Sequence, residues 1–380
     1  MKRFSINSIL AIVAMVIMMT ACQKSPQIDL TNVDTFTKAK PVWAEGRQKE
    51  KNLILSFREV IKAGWSKNAY IRIAASTNYR LLVNGEFVAH GPCVAAHDFY
   101  RIDCYDLKPY LKCGKNLIAL EVAGYNEPSY YLLDQPSFLQ AEVELNGEIV
   151  AATGSEFTAY ELNQRKRDVP RFSFQRPFIE HHILTPDYQQ WAEDINWQPE
   201  GINPVKLAEQ EAKTLITRRV PYPDYSIHEA VQMPDKKYTY KFKCNSTGFL
   251  GMKIKVNEPT VMKIHFDELL DDKGRVRHNS QYEGRMFYEF QPGEYLVESY
   301  EPYTMQYLEM LIESGDCSVE RVYMRDYCNS DVSRGTFQSD NADLNRLFEA
   351  ARETYRQNAL DIFMDCPSRE RAGWLCDSYF

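Results

Sequence analysis

The sequence predicts a mainly β protein, with two antiparallel β-sandwiches of jelly-roll type in series followed by the start of an all-α region. Three observations carry this expectation. From Tyr70 onward, short runs of alternating apolar and polar residues follow one another with no helical stretch between them. The same pattern resumes at Tyr238 after a proline-rich interval, and at Ser339 the apolar spacing changes to that of a helix.

The chain opens with Lys2 and Arg3, the apolar run "SILAIVAMVIMM", the small residues Thr20 and Ala21, and then Cys22. The apolar run is short for a membrane span but suits the core of a signal peptide. The stretch resembles a bacterial lipoprotein signal, with Met19 where Leu is usual. That resemblance implies cleavage after residue 21, lipidation of Cys22 and a membrane partner held through the lipid anchor. An ordinary secretory signal or a single anchor helix would read similarly, and each of these readings takes the protein out of the cytoplasm. Residues 22–40 are polar and without periodicity, as a tether would be.

Within the first sandwich, expected over residues 41–200, "YIRIAAS", "YRLLVNGEFVAHG", "FYRIDCYDL", "NLIALEVAGY" and "LQAEVELNGEIVAAT" read as strands. Asn84-Gly85 and Asn146-Gly147 are hairpin turns that need positive φ. Between about 161 and 235, Pro170, Pro177, Pro186, Pro199, Pro204, Pro221 and Pro223 exclude long helices. The second sandwich, expected over 201–335, reads as six strands, with Gln291-Pro292-Gly293 as a turn. From 336 to 380 an all-α region begins. Leu344, Leu347, Phe348, Ala351 and Tyr355 share a helical face, and Ser339 or Asp340 stands ready as N-cap.

A formal net charge of -7 argues against a nucleic-acid partner, because phosphate binding needs clustered Lys and Arg. Aromatic residues make up 13% of the chain, the kind of side chain that stacks on sugar rings. The cysteines after Cys22 are scattered and contain no C-x-x-C pair, which favours buried thiols or one or two disulfides over a zinc site. His97, near Cys93 and Cys104, is only a weak metal lead, and neither a metal nor a cofactor is expected.

The most reactive stretch is "DCPSRERAGWLCDSYF", residues 365–380. Pro367 suits the first position of a helix, and a helix from there would put Glu370, Trp374 and Asp377 on one face. Glycosidic bonds are cleaved by a carboxylic acid that protonates the leaving oxygen, helped by a second carboxylate. Glu370 could be that acid, with Asp365 and Asp377 raising its pKa and Arg369 and Arg371 opposing them. A capped helix start with a solvated Arg–Glu pair and a core Trp accounts for the same residues.

"DCPSRERAGWLCD" resembles the motif of the α-L-rhamnosidases of glycoside hydrolase family 78, which typically reads D-C-P-x-R-D-E-R-x-G-W-x-G-D. The upstream strands resemble that family's sugar-binding-like jelly roll and the β-sandwich before its catalytic barrel. The resemblance implies that residues 336–380 begin an (α/α)6 six-hairpin barrel whose later part supplies the catalytic base. It also implies an inverting mechanism on a polysaccharide or oligosaccharide substrate, with Glu370 as general acid and Asp365, Arg369, Trp374 and Asp377 lining the sugar subsite. Two departures stand out: one residue fewer before Glu370, which loses the family's Asp, and Cys376 in place of Gly. The competing expectation is a surface lipoprotein that binds carbohydrate without cleaving it, through Tyr125, Asn126, Tyr130 and Tyr131 on a sandwich loop.

Overall fold

The computed structural model describes residues 35–374, so the signal-like segment, Cys22, Cys376 and Asp377 lie outside the described residues. The first sandwich begins with β1 (Val42–Ala44), β2 (Leu53–Ala63), β3 (Ala69–Ala75), β4 (Tyr79–Val83) and β5 (Glu86–Gly91). It continues through β6 (Phe99–Asp106), β7 (Gly114–Gly124), β8 (Leu139–Leu145), β9 (Glu148–Ala152) and β10 (Thr158–Tyr160). One sheet is ordered β1-β8-β3-β6 with β9 beside β8, and the other β10-β2-β7-β4-β5. Trp43, Phe57, Tyr79, Leu81, Ile118 and Leu120 fill the space between them. Asn84 and Gly85 turn β4 into β5 at φ 52° and 82°, as the Asn-Gly pair requires.

β1 and β2 precede the first strand expected from sequence. β2 pairs with β7 along its whole length, from Leu53 opposite Gly124 to Ala63 opposite Gly114. Residues on both of its faces are buried, which blurs the alternation that would have marked it.

The proline-rich interval stitches the two sandwiches together and crosses the expected division at residue 200 in both directions. It holds the hairpin β11 (Arg171–Ser173) and β12 (Arg176–Phe178), then β13 (His181–Leu184) and the short helix Gln190–Glu193. β13 lies parallel to β20 (Arg285–Phe290) of the second sandwich. Further along, β14 (Leu207–Glu209) and β15 (Thr214–Thr217) return to the first, on β1 and β6. After the minor strands β16 (Pro223–Asp224), β17 (Ile227–Glu229) and β18 (Val231–Gln232), the second sandwich is built around β19 (Thr239–Asp267) and β22 (Tyr303–Asp326), with β21 (Gly293–Glu298) alongside.

Three of the separately expected strands are thus one 29-residue strand, β19, bent by register shifts near Gly248 and between Val256 and Met262. The sheet curls until both ends of β19 flank the start of β22, with Tyr240 and Phe266 each opposite Leu308. Gly248 sits at one bend, where a Cβ would collide with the Arg325 carbonyl. Phe242, Met252, Phe266, Tyr288 and Met305 form the enclosed core.

The turn after β21 ties the two sandwiches together. The Tyr300 hydroxyl donates to the Asn78 carbonyl at 2.6 Å and accepts from Ala123 N–H at 3.1 Å. Glu180 accepts the backbone N–H groups of Tyr300 and Glu301, each at 2.8 Å.

After β23 (Cys328–Asn329), the helix Ala342–Asn358 follows. Its N-cap is Asn341, which accepts from Asp343 N–H and Leu344 N–H. The expected caps Ser339 and Asp340 lie outside the helix, and Ser339 is instead locked to the Asn345 amide through its backbone. The helix docks by its C-terminal end, where Arg356 meets Asp326 at 3.1 Å and Gln357 accepts from Thr247 at 2.9 Å. Among the described residues no helix is long and apolar enough to cross a membrane.

Candidate active site

Residues 365–374 form a closed loop rather than the helix expected from Pro367. Pro367–Glu370 make one turn, after which Arg371 takes φ 60° and the chain reverses. Two backbone bonds close the loop, Asp365 N–H to the Ala372 carbonyl at 3.0 Å and Arg371 N–H to the Cys366 carbonyl at 3.1 Å. The Arg371 side chain turns inward and donates from Nε to the Pro367 carbonyl. These bonds take up groups that a continuing helix would need, so Glu370 and Trp374 are not one helical turn apart.

The loop brings Asp365, Arg369 and Glu370 together. Arg369 Nη2 contacts Glu370 Oε1 and reaches Asp365 Oδ2 at 3.2 Å. Glu370 is only 5% exposed, and burial together with the neighbouring Asp365 carboxylate raises its pKa against the pull of Arg369. Asp365 is driven the other way. Its burial favours the neutral form, but hydrogen bonds from Glu370, Cys366 and Arg369 hold it below its ordinary value. The two carboxyls are thus pushed apart, Glu370 towards its protonated form and Asp365 towards its ionised form. Asp365, Cys366 and Glu370 also place three possible metal-ligating atoms within 4.8 Å of one another. The Cys366 thiol already donates to Asp365, and Arg369 occupies both carboxylates, so the set fits a proton better than a cation.

The β11–β12 hairpin supports this loop, a role that sequence reasoning missed. Gln175 at its tip donates from Nε2 to Glu370 Oε2 at 3.1 Å. Arg176, 1% exposed, donates to the Ser368 carbonyl at 3.0 Å and lies over the Phe172 ring at 4.4 Å. The alternating run "RFSFQRPF" was the available signal, hidden among the surrounding prolines.

Beside the acid lies an aromatic trough. Tyr130 meets Trp374 edge-on at 5.7 Å and Phe174 edge-on at 5.9 Å. All three rings are substantially exposed, Phe174 most of all at 68%. Tyr130 and Trp374, which came from competing expectations, thus stand side by side. Tyr125 and Asn126 do not join them, because both are buried, and Tyr125 and Tyr131 donate their hydroxyls to Glu301.

The remaining leads are structural. His97 pairs with Asp98 at the surface, and the seven cysteines among the described residues are free thiols. Burial raises the pKa of several, Cys104 to about 11.

Residues 333–380 match the family model described as the bacterial α-L-rhamnosidase six-hairpin glycosidase domain. Solved structures extend the likeness upstream. The family 78 rhamnosidase of Bacillus sp. GL1 superposes with a TM-score of 0.76 at 15% identity, covering 89% of this chain and 60% of that one. The chain has the fold of the family 78 α-L-rhamnosidases. The α-L-rhamnosidase of Dictyoglomus thermophilum gives 0.66 at 19% identity, over 90% of this chain and 40% of its own. That of Streptomyces avermitilis, solved with L-rhamnose, gives 0.62 at 17% identity, over 85% and 33%. The chain therefore spans 60% or less of the length of these rhamnosidase structures. Among curated proteins, none matches.

Proposed function

We propose that the protein is a glycoside hydrolase that removes terminal α-L-rhamnosyl or related deoxysugar residues from polysaccharides with inversion, and that Glu370 is its general acid. The observation that carries this reading is the buried Glu370, its pKa raised beside Asp365 and its carboxylate held by Arg369, inside the segment matched to a glycosidase domain. In the reaction Glu370 gives its proton to the glycosidic oxygen, and Arg369 neutralises the carboxylate left behind.

Inversion needs a second carboxylate about 6.5–9.5 Å from the acid, with water between them. Asp365, within 4.8 Å of Glu370, is too close for that role, so it tunes the acid, and the base comes from the rest of the barrel. Asp365, Arg369, Trp374 and Asp377 contribute to the sugar subsite. Tyr130 and Phe174 extend Trp374 into a stacking surface for the leaving group, whose oxygen must lie next to Glu370. The enzyme is exported and held at the outer membrane by lipid on Cys22.

The test is hydrolysis of an aryl α-L-rhamnoside by the full-length protein, with the first-formed anomer read by NMR. Inverted rhamnose, lost in Glu370→Gln, is the expected result. Full activity in Glu370→Gln would overturn the assignment. Export is checked separately by palmitate labelling that disappears in Cys22→Ala.

A further inference from the structure

A second pocket, partly open, lies behind the acid loop, where the two sandwiches and residues 360–371 meet. It is a cavity of about 50 Å³, room for only a few water molecules. Its wall carries two buried polar side chains, His90 and Arg371. His90, 2% exposed, has no hydrogen-bond partner on either ring nitrogen among the described residues. Its ring is instead packed between Phe249 at 4.9 Å and Tyr327 at 5.3 Å. Arg371, 6% exposed, donates from Nε to the Pro367 carbonyl and lies over the Tyr131 ring at 5.8 Å, with its guanidinium on the cavity wall.

Leaving such groups unpaired is costly. A buried polar group without a hydrogen bond loses its solvation with nothing in return, and an unpaired buried charge loses more. Neutral His90 offers one acceptor nitrogen, yet no hydrogen bond joins it to Arg371 among the described residues, and burial with the nearby Arg80 and Arg371, against the pull of Glu180, keeps the ring uncharged. Burial and the nearby Arg176 disfavour charge on Arg371, against the pull of Tyr131, Glu301 and Tyr327, and a bound anion would favour its charged form further.

We infer that this cavity binds a small hydroxycarboxylate, its carboxylate on the Arg371 fork and His90, and its hydroxyl towards Asp361. The planar guanidinium matches a carboxylate through two parallel bonds. Leu132, Ile362 and Met364 give the cavity apolar walls, which suit an organic body better than a bare inorganic ion. Asp361 is fixed on the same wall by the Val94 N–H at 2.7 Å, and its second oxygen can accept from a hydroxyl. The cavity volume limits the ligand to a handful of heavy atoms.

The experiment is calorimetric titration of the full-length protein with sodium lactate, against sodium chloride at the same ionic strength. Saturable lactate binding that chloride does not mimic, weakened at least tenfold in both Arg371→Met and His90→Phe, is the expected result. No saturable binding, or equal binding in Arg371→Met, overturns the proposal. Should those variants not fold, a lactate-soaked crystal of the wild-type protein decides: the carboxylate appears within hydrogen-bond distance of Arg371, or water alone fills the cavity and the proposal is wrong. Glu370→Gln is expected to stop rhamnoside hydrolysis while keeping lactate binding, so this proposal and the glycosidase reading fail separately.

Discussion

Glu180 and Glu370 expose equally little surface, 5% each, but Glu180 lies deep at the junction of the sandwiches and Glu370 in a loop near the surface, and their carboxyls are driven in opposite directions. Burial raises both, but Glu180 is then overwhelmed by donors. It takes His182 Nε2 at 2.7 Å, two backbone N–H groups and the Tyr303 hydroxyl, with Arg165 nearby, and is held at about 2. Glu370 has one guanidinium and one amide, and its neighbour Asp365 is an anion, so its pKa rises. Burial sets how much is at stake, and the donor count decides which protonation state wins. One glutamate is an anion that joins two sandwiches, and the other is biased towards its protonated form.

The sharpest way to break that contrast is to neutralise each in turn. Glu370→Gln is expected to lower kcat on an aryl α-L-rhamnoside by about 10²–10⁴-fold while thermal stability hardly changes. Glu180→Ala should do the reverse. It strands several buried donors at the sandwich junction and is expected to cost about 3–5 kcal/mol in denaturant unfolding, without altering the pH profile of the activity that remains. If Glu180→Ala were as stable as the wild type, the donor count would not be what governs that site.

pH sharpens the comparison. A depression of Glu180 from 4.5 to about 2 is worth on the order of 3 kcal/mol, present above the unfolded-state pKa and lost as pH falls towards 2. Stability should therefore decline through that acid window, and the decline should be shallower in Glu180→Gln. Glu370 has the opposite sign. Its proton is available below its raised pKa and lost above it, so it sets the alkaline limb of kcat/KM. Asp365→Asn removes the anion that raises Glu370 and should move that limb to lower pH.

How much of this was legible in the sequence follows from the range of the forces involved. The Asn84-Gly85 turn and the strands around it are local, because positive φ at Asn-Gly and period-two burial need no knowledge of the rest of the chain. β19 was read as three strands because its bends arise where its partners change along β22, which is a long-range fact. At the site, Asp365, Arg369 and Glu370 were visible as a motif, but not as the closed loop that unites them. Arg371 at φ 60° ended the expected helix, and its burial under Tyr131 depends on residues some 240 positions away. For Phe174 and Gln175 the run "RFSFQRPF" signals only a strand pattern, and their importance comes from where the hairpin tip lands.

Gln175 gives the smallest and most discriminating of the effects. Its amide donates to Glu370 Oε2, and a donor favours the ionised carboxylate. Gln175→Leu should then raise the Glu370 pKa and push the alkaline limb of kcat/KM upward, opposite to Asp365→Asn, with only a few-fold loss of kcat near neutrality. The Gln175 Oε1 atom is buried without a partner among the described residues, so an amide turned end for end would accept the Glu370 proton instead. In that case Gln175 would help to keep the acid protonated, and the limb in Gln175→Leu would move down. The direction of a single pH limb thus shows whether the hairpin opposes the Glu370 proton or holds it, which a loss of activity alone would not reveal.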